Sequence, residues 1–451
     1  MTHNLKMPAR ELANSICDML LRHGWQAFLV GGCVRDILLR REPADYDVAT
    51  DASPHQVMQL FPGSIAVGAQ FGVVLVTQES NKVEVATFRR DIGYSDGRHP
   101  DQVIYATKPE DDVSRRDFTI NGLLMRHNSG EVLDFVSGQA DLKAGIVRAI
   151  GDPERRFTED KLRMLRAVRF AARFGYSIEP ITFSAIQKHA PEIHTVSAER
   201  IHEELSKLLT EGAARRGFEL LDEAGLLQEV LPEISVMKGV PQPPEYHPEG
   251  DVWIHTRIML ERLPPNSSLT LAWGVLLHDV GKPRTFRPAS LTGDRIRFDG
   301  HVEVGVGMAA EICKRLKFSN ADMEQVQALV ANHMKFKDVA QMRKSTLKRF
   351  VRQPHFDEHL ELHRLDTLAS HGRLDAYQMV LDFLAETPLD QVRPTRLLTG
   401  DDLNEMGYEP GPEFQNMLRA LEDAQLEGTL TTREQAMAFV KKYFPQRGVG
   451  R

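Results

Sequence analysis

Gly31-Gly32-Cys33-Val34-Arg35-Asp36, followed nine residues later by Asp45-Tyr46-Asp47, sets the architecture at the N-terminal end of this chain. Upstream, Trp25-Gln26-Ala27-Phe28-Leu29-Val30 is a short apolar run that reads as a strand. Downstream, Val34-Arg35-Asp36-Ile37-Leu38-Leu39 reads as a helix. A strand, a glycine turn and a helix start make a phosphate cradle, because backbone N–H groups point outward and glycine lets a triphosphate approach them. The next strand is expected to carry Asp45 and Asp47, and a period of two places both on one face. Paired carboxylates repel each other and call for a cation between them. Mg²⁺ suits all-oxygen ligands that bridge to phosphates. A glycine pair or an Asp-x-Asp alone is common in surface turns; it is their order and spacing that point to a nucleoside triphosphate held with metal.

The chain has 451 residues, enough for roughly three or four domains. It is 42% apolar and 26% charged, an ordinary balance for a soluble globular protein. No apolar run approaches the ~20 residues of a membrane span, and Met1-Thr2-His3-Asn4-Leu5-Lys6 carries no signal-peptide core. Cys17, Cys33 and Cys313 are scattered without paired spacing, which fits a cytoplasmic protein and argues against a cysteine zinc site. With a net charge of −7, RNA binding requires local concentration of basic residues, and two stretches supply it.

To about residue 150 strand and helix signals alternate. Phe71-Gly72-Val73-Val74-Leu75-Val76 and Lys82-Val83-Glu84-Val85-Ala86-Thr87-Phe88 read as a strand pair joined through Glu79-Ser80-Asn81. From about 153 onward helical periodicity dominates, broken at Pro241-Gln242-Pro243-Pro244, Pro264-Pro265 and Pro410-Gly411-Pro412. The stretch Arg89 to Pro100 is expected as a mobile loop near the site.

The first basic concentration is Ser114-Arg115-Arg116-Asp117-Phe118-Thr119-Ile120-Asn121. Guanidinium forks match phosphate oxygens, which assigns Arg116 to the triphosphate. Asp117 either supports the metal or fixes an arginine. The second is Glu159-Asp160-Lys161-Leu162-Arg163-Met164-Leu165-Arg166-Ala167-Val168-Arg169-Phe170, where spacing of three aligns Asp160, Arg163, Arg166 and Arg169 along one helix ridge. An Asp–Arg pair has a specific chemical use. The carboxylate accepts from an exocyclic amine and the guanidinium donates to a ring nitrogen. Cytosine and adenine present that order of groups; uracil and guanine present the reverse. One such pair accepts CTP and ATP and rejects UTP and GTP without a nucleic-acid template.

Taken together, these motifs resemble class II tRNA nucleotidyltransferases, the CCA-adding enzymes, and their bacterial poly(A) polymerase relatives. The resemblance runs through the Gly31 to Asp36 and Asp45-Tyr46-Asp47 motifs, Arg115 to Asn121, and Glu159-Asp160-Lys161-Leu162-Arg163. Thr399-Gly400-Asp401-Asp402-Leu403, Pro410-Gly411-Pro412 and Glu427-Gly428 look like the family's tail. It implies an α+β fold: a polymerase-β-like α/β head on an all-α neck, HD-type body and helical tail. The implied division is head 1–150, neck 151–240, HD domain 241–375 and tail 376–451. It also implies that Asp45 and Asp47 hold Mg²⁺ and are catalytic. Gly32, Arg35 and Arg116 would hold the triphosphate and sugar. Asp160 and Arg163 would read the base, with Arg166 and Arg169 supporting that wall or the phosphates. The partners implied are tRNA, CTP and ATP, with no membrane; oligomeric state is open. Poly(A) polymerases of the family carry a paired basic motif where this chain reads Gly68-Ala69-Gln70-Phe71-Gly72, which favours tRNA. An A-adding or C-adding tRNA enzyme and a poly(A) polymerase remain the alternatives.

A second constellation, His255 in Asp251-Val252-Trp253-Ile254-His255-Thr256 and His278-Asp279 in Leu276-Leu277-His278-Asp279-Val280-Gly281-Lys282, resembles the HD phosphohydrolase superfamily. An adjacent His-Asp on a helix with a distant His and Asp binds a divalent metal and activates water. Asp366 is the expected fourth ligand, and His301 and His333 would add a second metal. Imidazole suits a transition metal such as Ni, Mn, Fe or Zn. The expected chemistry is phosphatase or cyclic-phosphodiesterase action on damaged tRNA ends. A hydrolase whose head has become an RNA-binding module is the rival reading; the paired carboxylates Asp45 and Asp47 argue against it.

Overall fold

The apolar run before the glycines forms strand β1 (Ala27–Val30), buried at all four residues. Trp25 and Gln26 stay outside it: the Gln26 backbone N–H and side-chain amide donate to the Asp51 carboxylate at 2.7 and 3.0 Å instead. In this computed structural model the described residues are 9–67, 72–79, 81–94, 97 and 100–445. The stretch 68–71 read above against a paired basic motif, the turn residue Ser80, and Ser95, Asp96, Arg98 and His99 of the expected loop lie outside them.

β1 sits inside a seven-stranded mixed sheet with β2 (Asp47–Thr50), β3 (Ile65–Ala66), β4 (Val73–Gln78) and β5 (Asn81–Thr87). A separate hairpin pairs β6 (Arg89–Ile92) with β7 (Gln102–Tyr105); β8 (Leu123–Met125) and β9 (Val132–Asp134) complete the sheet. The sheet order is β3-β4-β5-β2-β1-β8-β9. Only β2 and β5 pair in parallel; the other neighbours are antiparallel. Alternation along the strands sends side chains to both faces, and both faces are covered. Leu29, Val48, Val83 and Val85 pack with Leu12, Ile16 and Leu20 of the Ala9–Arg22 helix. Phe28, Ala49, Phe88 and Leu124 pack with Val113 and Ile150 on the other side.

The expected loop from Arg89 is therefore in part a hairpin. Strand pairing continues there because Asp91, at the middle of β6, neutralises Arg89 at 3.0 Å and lies 3.8 Å from Arg115. Beyond 153 the described elements are helical save Ser177–Ile178, which pairs with Ile146–Val147, and an isolated bridge between Arg287 and Arg297.

The chain divides into two compact units. One runs through Ser235 with 264–266 and 315–317; the other takes the remainder from Val236. In the second unit, the buried Leu269–Leu277 helix packs against Val252–Arg262, Asn320–Asn332 and Phe356–Ala369. A separate core forms around Leu403, Met417, Leu421 and Val440 near the C-terminal end. No helix among the described residues is long and apolar enough to cross a membrane. All three cysteines are free and buried.

Candidate active sites

The glycine pair forms the corner between β1 and the Gly32–Leu38 helix. Gly31 adopts φ 77° and ψ −130°, a backbone that side chains rarely accept. A Cβ there would also sit 3.3 Å from Arg116 Nη1. Arg116, assigned to the triphosphate from the sequence, is thus brought against the glycine turn. Its aim is set by Asp112, a residue that the sequence reading did not single out. Asp112 is fully buried; one oxygen accepts from Arg116 Nε and Nη2 at 3.2 and 2.9 Å, the other from Arg115 at 2.9 and 2.6 Å. Burial alone would push the Asp112 carboxyl up, but the two guanidinium groups hold it below the usual carboxylate range. Gly31→Ala is expected to cost about 1–3 kcal/mol through the strained φ. Urea denaturation reads this directly, and an unchanged midpoint would contradict the strained turn.

Arg35, also expected on the triphosphate, is 4% exposed beneath that turn. Its Nε donates to Asp36 at 2.8 Å and its Nη1 to Asn121 at 2.7 Å, and its guanidinium lies 4.7 Å from the Phe174 ring centroid. Gly32 stands directly above it: a Cβ there would be 3.6 Å from Arg35 Nη2.

The carboxylate pair departs from the sequence expectation in one respect. β2 begins at Asp47, so Asp45 precedes the strand. The reason is the ladder: β1 ends at Val30, where Gly31 turns the chain, and Val30 pairs with Asp47, leaving no β1 partner for Asp45. On its other side Asp47 pairs with Glu84 of β5, which places a third carboxylate beside it. Glu84 was hidden in the sequence inside an alternating strand, where an exposed glutamate is unremarked. The Asp47 carboxyl is pushed up to about 7 by burial, then by the charges of Asp45 and Glu84, against the opposing pull of Arg116. Carboxylates at neighbouring positions are the oxygen ligands a divalent cation takes, although among the described residues the acids here do not close into a preformed metal-holding group. Cys33 stays out of it: its Sγ is 4.0 Å from the Asp47 carbonyl, and burial pushes its thiol up to about 11.

The ridge of Asp160, Arg163, Arg166 and Arg169 is only partly on one helix. The helix spans Leu162–Phe174, and Asp160 lies before it, ending the Pro153–Glu159 helix. An extended φ of −153° at Asp160 breaks the helical run, and its Oδ1 accepts the Leu162 N–H at 3.1 Å. Asp160 and Arg163 point their side chains at different partners. Arg163 donates to Glu159 at 2.9 Å and to the carbonyls of Arg156 and Arg115 at 3.2 and 3.1 Å. Arg166 grips Asp117 with two bonds of 2.9 and 2.6 Å. Of the two alternatives for Asp117, this is the arginine-fixing one. Burial opposes it, but Arg166 and then Arg163 hold the Asp117 carboxyl down at about 2. Arg169 is buried against Glu204 at 2.7 Å and Glu211 at 3.2 Å. The charged ridge is thus a bonded frame rather than a solvated face.

In the second unit His255, His278, Asp279, His301, His333 and Asp366 converge. His278 and Asp279 follow the Leu269–Leu277 helix rather than lying on it, with His278 as its C-cap. Gly281 makes that turn possible by close approach: a Cβ there would be 2.2 Å from the His301 carbonyl oxygen. His255 Nε2 stands 3.1 Å from Asp366 Oδ1, and His278 Nε2 stands 3.1 Å from Asp279 Oδ2. His301 and His333 approach the other Asp279 oxygen at 3.8 and 3.7 Å. Among the described residues, the His, Asp and Glu groups close enough to hold a metal are His255–His278–Asp279 and Asp279–His301–His333, with His247–Glu249–His255 beside them.

The outward nitrogens explain the set. Nδ1 of His278, His301 and His333 faces the carbonyls of Val275, Phe298 and Val330 at 2.9, 2.9 and 2.7 Å. Those bonds place the proton on Nδ1 and leave a lone pair on Nε2. The Nε2 atoms of His255, His278, His301 and His333 are all buried without a hydrogen-bond partner. Four imidazole nitrogens around the buried Asp279 and the partly exposed Asp366 carboxylates fit a divalent metal. Glu249, overlooked in the sequence six residues before His255, accepts from His255 Nδ1 at 2.6 Å in the manner of a carboxylate behind a metal-binding histidine. Lys282 is buried with its Nζ 2.7 Å from Asp279 and 2.6 Å from Gln242 Oε1.

Three segments of the chain match known families. Residues 27–148 match the poly A polymerase head domain. Residues 175–237 match the probable RNA and SrmB-binding site of polymerase A, and 249–367 the HD domain. A CCA-adding enzyme of Latilactobacillus sakei is 38% identical over 271 residues, spanning 59% of this chain and 68% of that enzyme. The chain belongs to the CCA-adding enzyme family. The CCA-adding enzyme of Leuconostoc mesenteroides is 44% identical over 208 residues, 46% of this chain and 52% of its own length. Aligned sequence thus spans between about half and two thirds of these curated CCA-adding enzymes. The structure of the Bacillus stearothermophilus CCA-adding enzyme in complex with CTP aligns over 97% of this chain and 98% of its own, with a TM-score of 0.71 at 25% identity. The CCA-adding enzymes are tRNA nucleotidyltransferases, and the expected fold, an α/β nucleotidyltransferase head followed by an HD-bearing helical body, is the fold of this family.

Proposed function

We propose that this enzyme adds C and A to the 3′ end of tRNA from CTP and ATP, releasing pyrophosphate. The observation that carries this is the acid cluster of Asp45, Asp47 and Glu84 beside a glycine turn faced by Arg116. Asp45 and Asp47, with Glu84 adjacent, would hold Mg²⁺, which when bound would lower the pKa of the 3′-hydroxyl and so activate it for attack, and neutralise the leaving pyrophosphate. Arg116, aimed by Asp112, binds the triphosphate at the turn around Gly31 and Gly32. Arg35 braces the turn from below through Asn121 and Phe174. In-line transfer then depends on positioning and charge neutralisation. The B. stearothermophilus relative was solved with CTP and a Thermotoga maritima relative with tRNA, in keeping with those partners. The functional division adopted is head 1–150, neck 151–240, HD domain 241–375 and tail 376–451. Free, buried thiols agree with work in the cytoplasm.

Base choice falls to Asp160 and Arg163. Arg163→Ala is expected to weaken discrimination against UTP by about 10- to 100-fold, because a hydrogen-bonding site rejects a reversed donor–acceptor order only while its donors are held. Single-nucleotide incorporation with CTP, ATP and UTP measures this. Unchanged selectivity would refute the protein-read base.

The second centre supports a phosphohydrolase, a phosphatase or cyclic phosphodiesterase, acting on tRNA ends. His255, His278, Asp279 and Asp366 would hold one divalent transition metal, Ni, Mn, Fe or Zn, and His301 and His333 with Asp279 a second; when bound, such an ion activates water. Lys282 supplies a buried positive charge next to Asp279 that suits a phosphate oxygen.

A further inference from the structure

We infer that Arg200 determines nucleotide choice as a positioning residue, by fixing the one acceptor direction with which Asp160 meets the base. The inference rests on the base-reading role proposed for Asp160 and Arg163. Arg200 lies on the Ala198–Thr210 helix, outside the stretch that carries the reading residues. Its Nη1 donates to Asp160 Oδ1 at 3.1 Å and its Nη2 to Asp160 Oδ2 at 2.7 Å. This is a two-pronged fork, which sets the carboxylate plane as well as its charge.

The lone pairs can be counted. An ionised carboxylate offers about four acceptor positions, two on each oxygen. Oδ1 takes one prong of the Arg200 fork and the Leu162 N–H, both at 3.1 Å, and is thereby filled. Oδ2 takes the other prong and keeps one position. A group with a single remaining acceptor, held in a fixed plane, accepts an exocyclic amine such as cytosine N4 or adenine N6. It repels the carbonyl that uracil and guanine place there. Lysine at this position would supply the charge without the plane.

The fork itself is anchored. Glu204, one turn along from Arg200 on the same helix face, holds Arg169 at 2.7 Å and approaches Arg166 at 3.8 Å. Glu211 holds Arg169 and Arg173 at 3.2 and 3.3 Å. Arg166 and Arg169 therefore lock the Leu162–Phe174 helix to the Ala198–Thr210 helix, and that lock presents Arg200 to Asp160.

The test is single-nucleotide addition by the full-length enzyme to tRNA lacking its 3′ end, with CTP, ATP and UTP, for wild type, Arg200→Ala, Arg200→Lys and Arg200→Gln. The expected result is a rise of about tenfold in the UTP:CTP ratio of kcat/KM for all three variants, with CTP affected more in KM than in kcat. A uniform fall for every nucleotide would assign Arg200 a merely structural role and overturn the inference. Wild-type selectivity in Arg200→Lys would show that charge suffices and overturn the fork. Should Arg200→Ala melt too low to assay, the lysine and glutamine variants carry the test. Arg163→Ala in the same assay separates the two levels. Relaxed selectivity there with wild-type selectivity at position 200 overturns this inference alone; wild-type selectivity at both overturns the base reading as well.

Discussion

Asp47→Asn is expected to slow nucleotide addition by about a thousandfold or more, equivalent to ~4 kcal/mol of transition-state stabilisation. The side chain keeps its size, so the effect isolates charge. Asp47 stands between Asp45 and Glu84, and its carboxyl is pushed up to about 7 by burial and those neighbours. A cluster of that kind costs stability when no cation is bound, so the variant should melt no lower than wild type. That combination, lost rate with retained stability, distinguishes a catalytic carboxylate from a structural one. Asp45→Asn should behave alike, since Asp45 lies beyond the β1–β2 ladder and contributes no strand pairing. Single-turnover addition of CMP together with a thermal melt makes the measurement. Addition at the wild-type rate in either variant would remove the metal-binding carboxylates from the account.

His278→Ala is expected to abolish metal-dependent phosphate release, by at least about a hundredfold, while leaving nucleotide addition intact. His278 is 1% exposed, and its Nδ1 bond to Val275 leaves Nε2 directed at Asp279. Its loss removes one residue from the first metal-capable group, while Lys282 at 2.7 Å still neutralises the buried Asp279. Phosphate release from a phosphomonoester and a 2′,3′-cyclic phosphate, assayed with added Ni²⁺ or Mn²⁺ and again after chelation, reads one activity; CMP addition reads the other. Loss of both activities in the variant would mean that His278 holds the fold and not a metal. Phosphate release that persists in His278→Ala would exclude this cluster as the hydrolytic centre.

Much of this was legible in the residues because motif and element coincide. The glycine turn was readable since a strand, two glycines and a helix lie contiguous in sequence, and Gly31 has a φ that only glycine accepts readily. The His278-Asp279 pair was readable because the two residues are adjacent in sequence, and the structure brings His255, His301, His333 and Asp366 to it. What stayed hidden was supplied from elsewhere in the chain. Asp112 and Glu84 come from a short helix and a neighbouring strand, and their roles depend on register and burial. Arg200 is 40 positions from Asp160 and looks like any helix-surface arginine. The Asp160–Arg163 spacing suggested a pair on one ridge, but spacing cannot reveal that Glu159 claims Arg163 first and that the helix starts after Asp160. Similarly, Asp45 lost its strand because β1 ends at Val30. Periodicity describes one element at a time, whereas these sites are built between elements.

The most direct test of the central claim is incubation of the enzyme with tRNA trimmed of its 3′ end, supplying CTP alone, ATP alone or both, and sequencing the products. The account predicts C residues only with CTP alone, and C residues closed by a single A with both. Long adenosine tails on generic RNA with ATP alone, or addition of U when UTP is supplied, would contradict it.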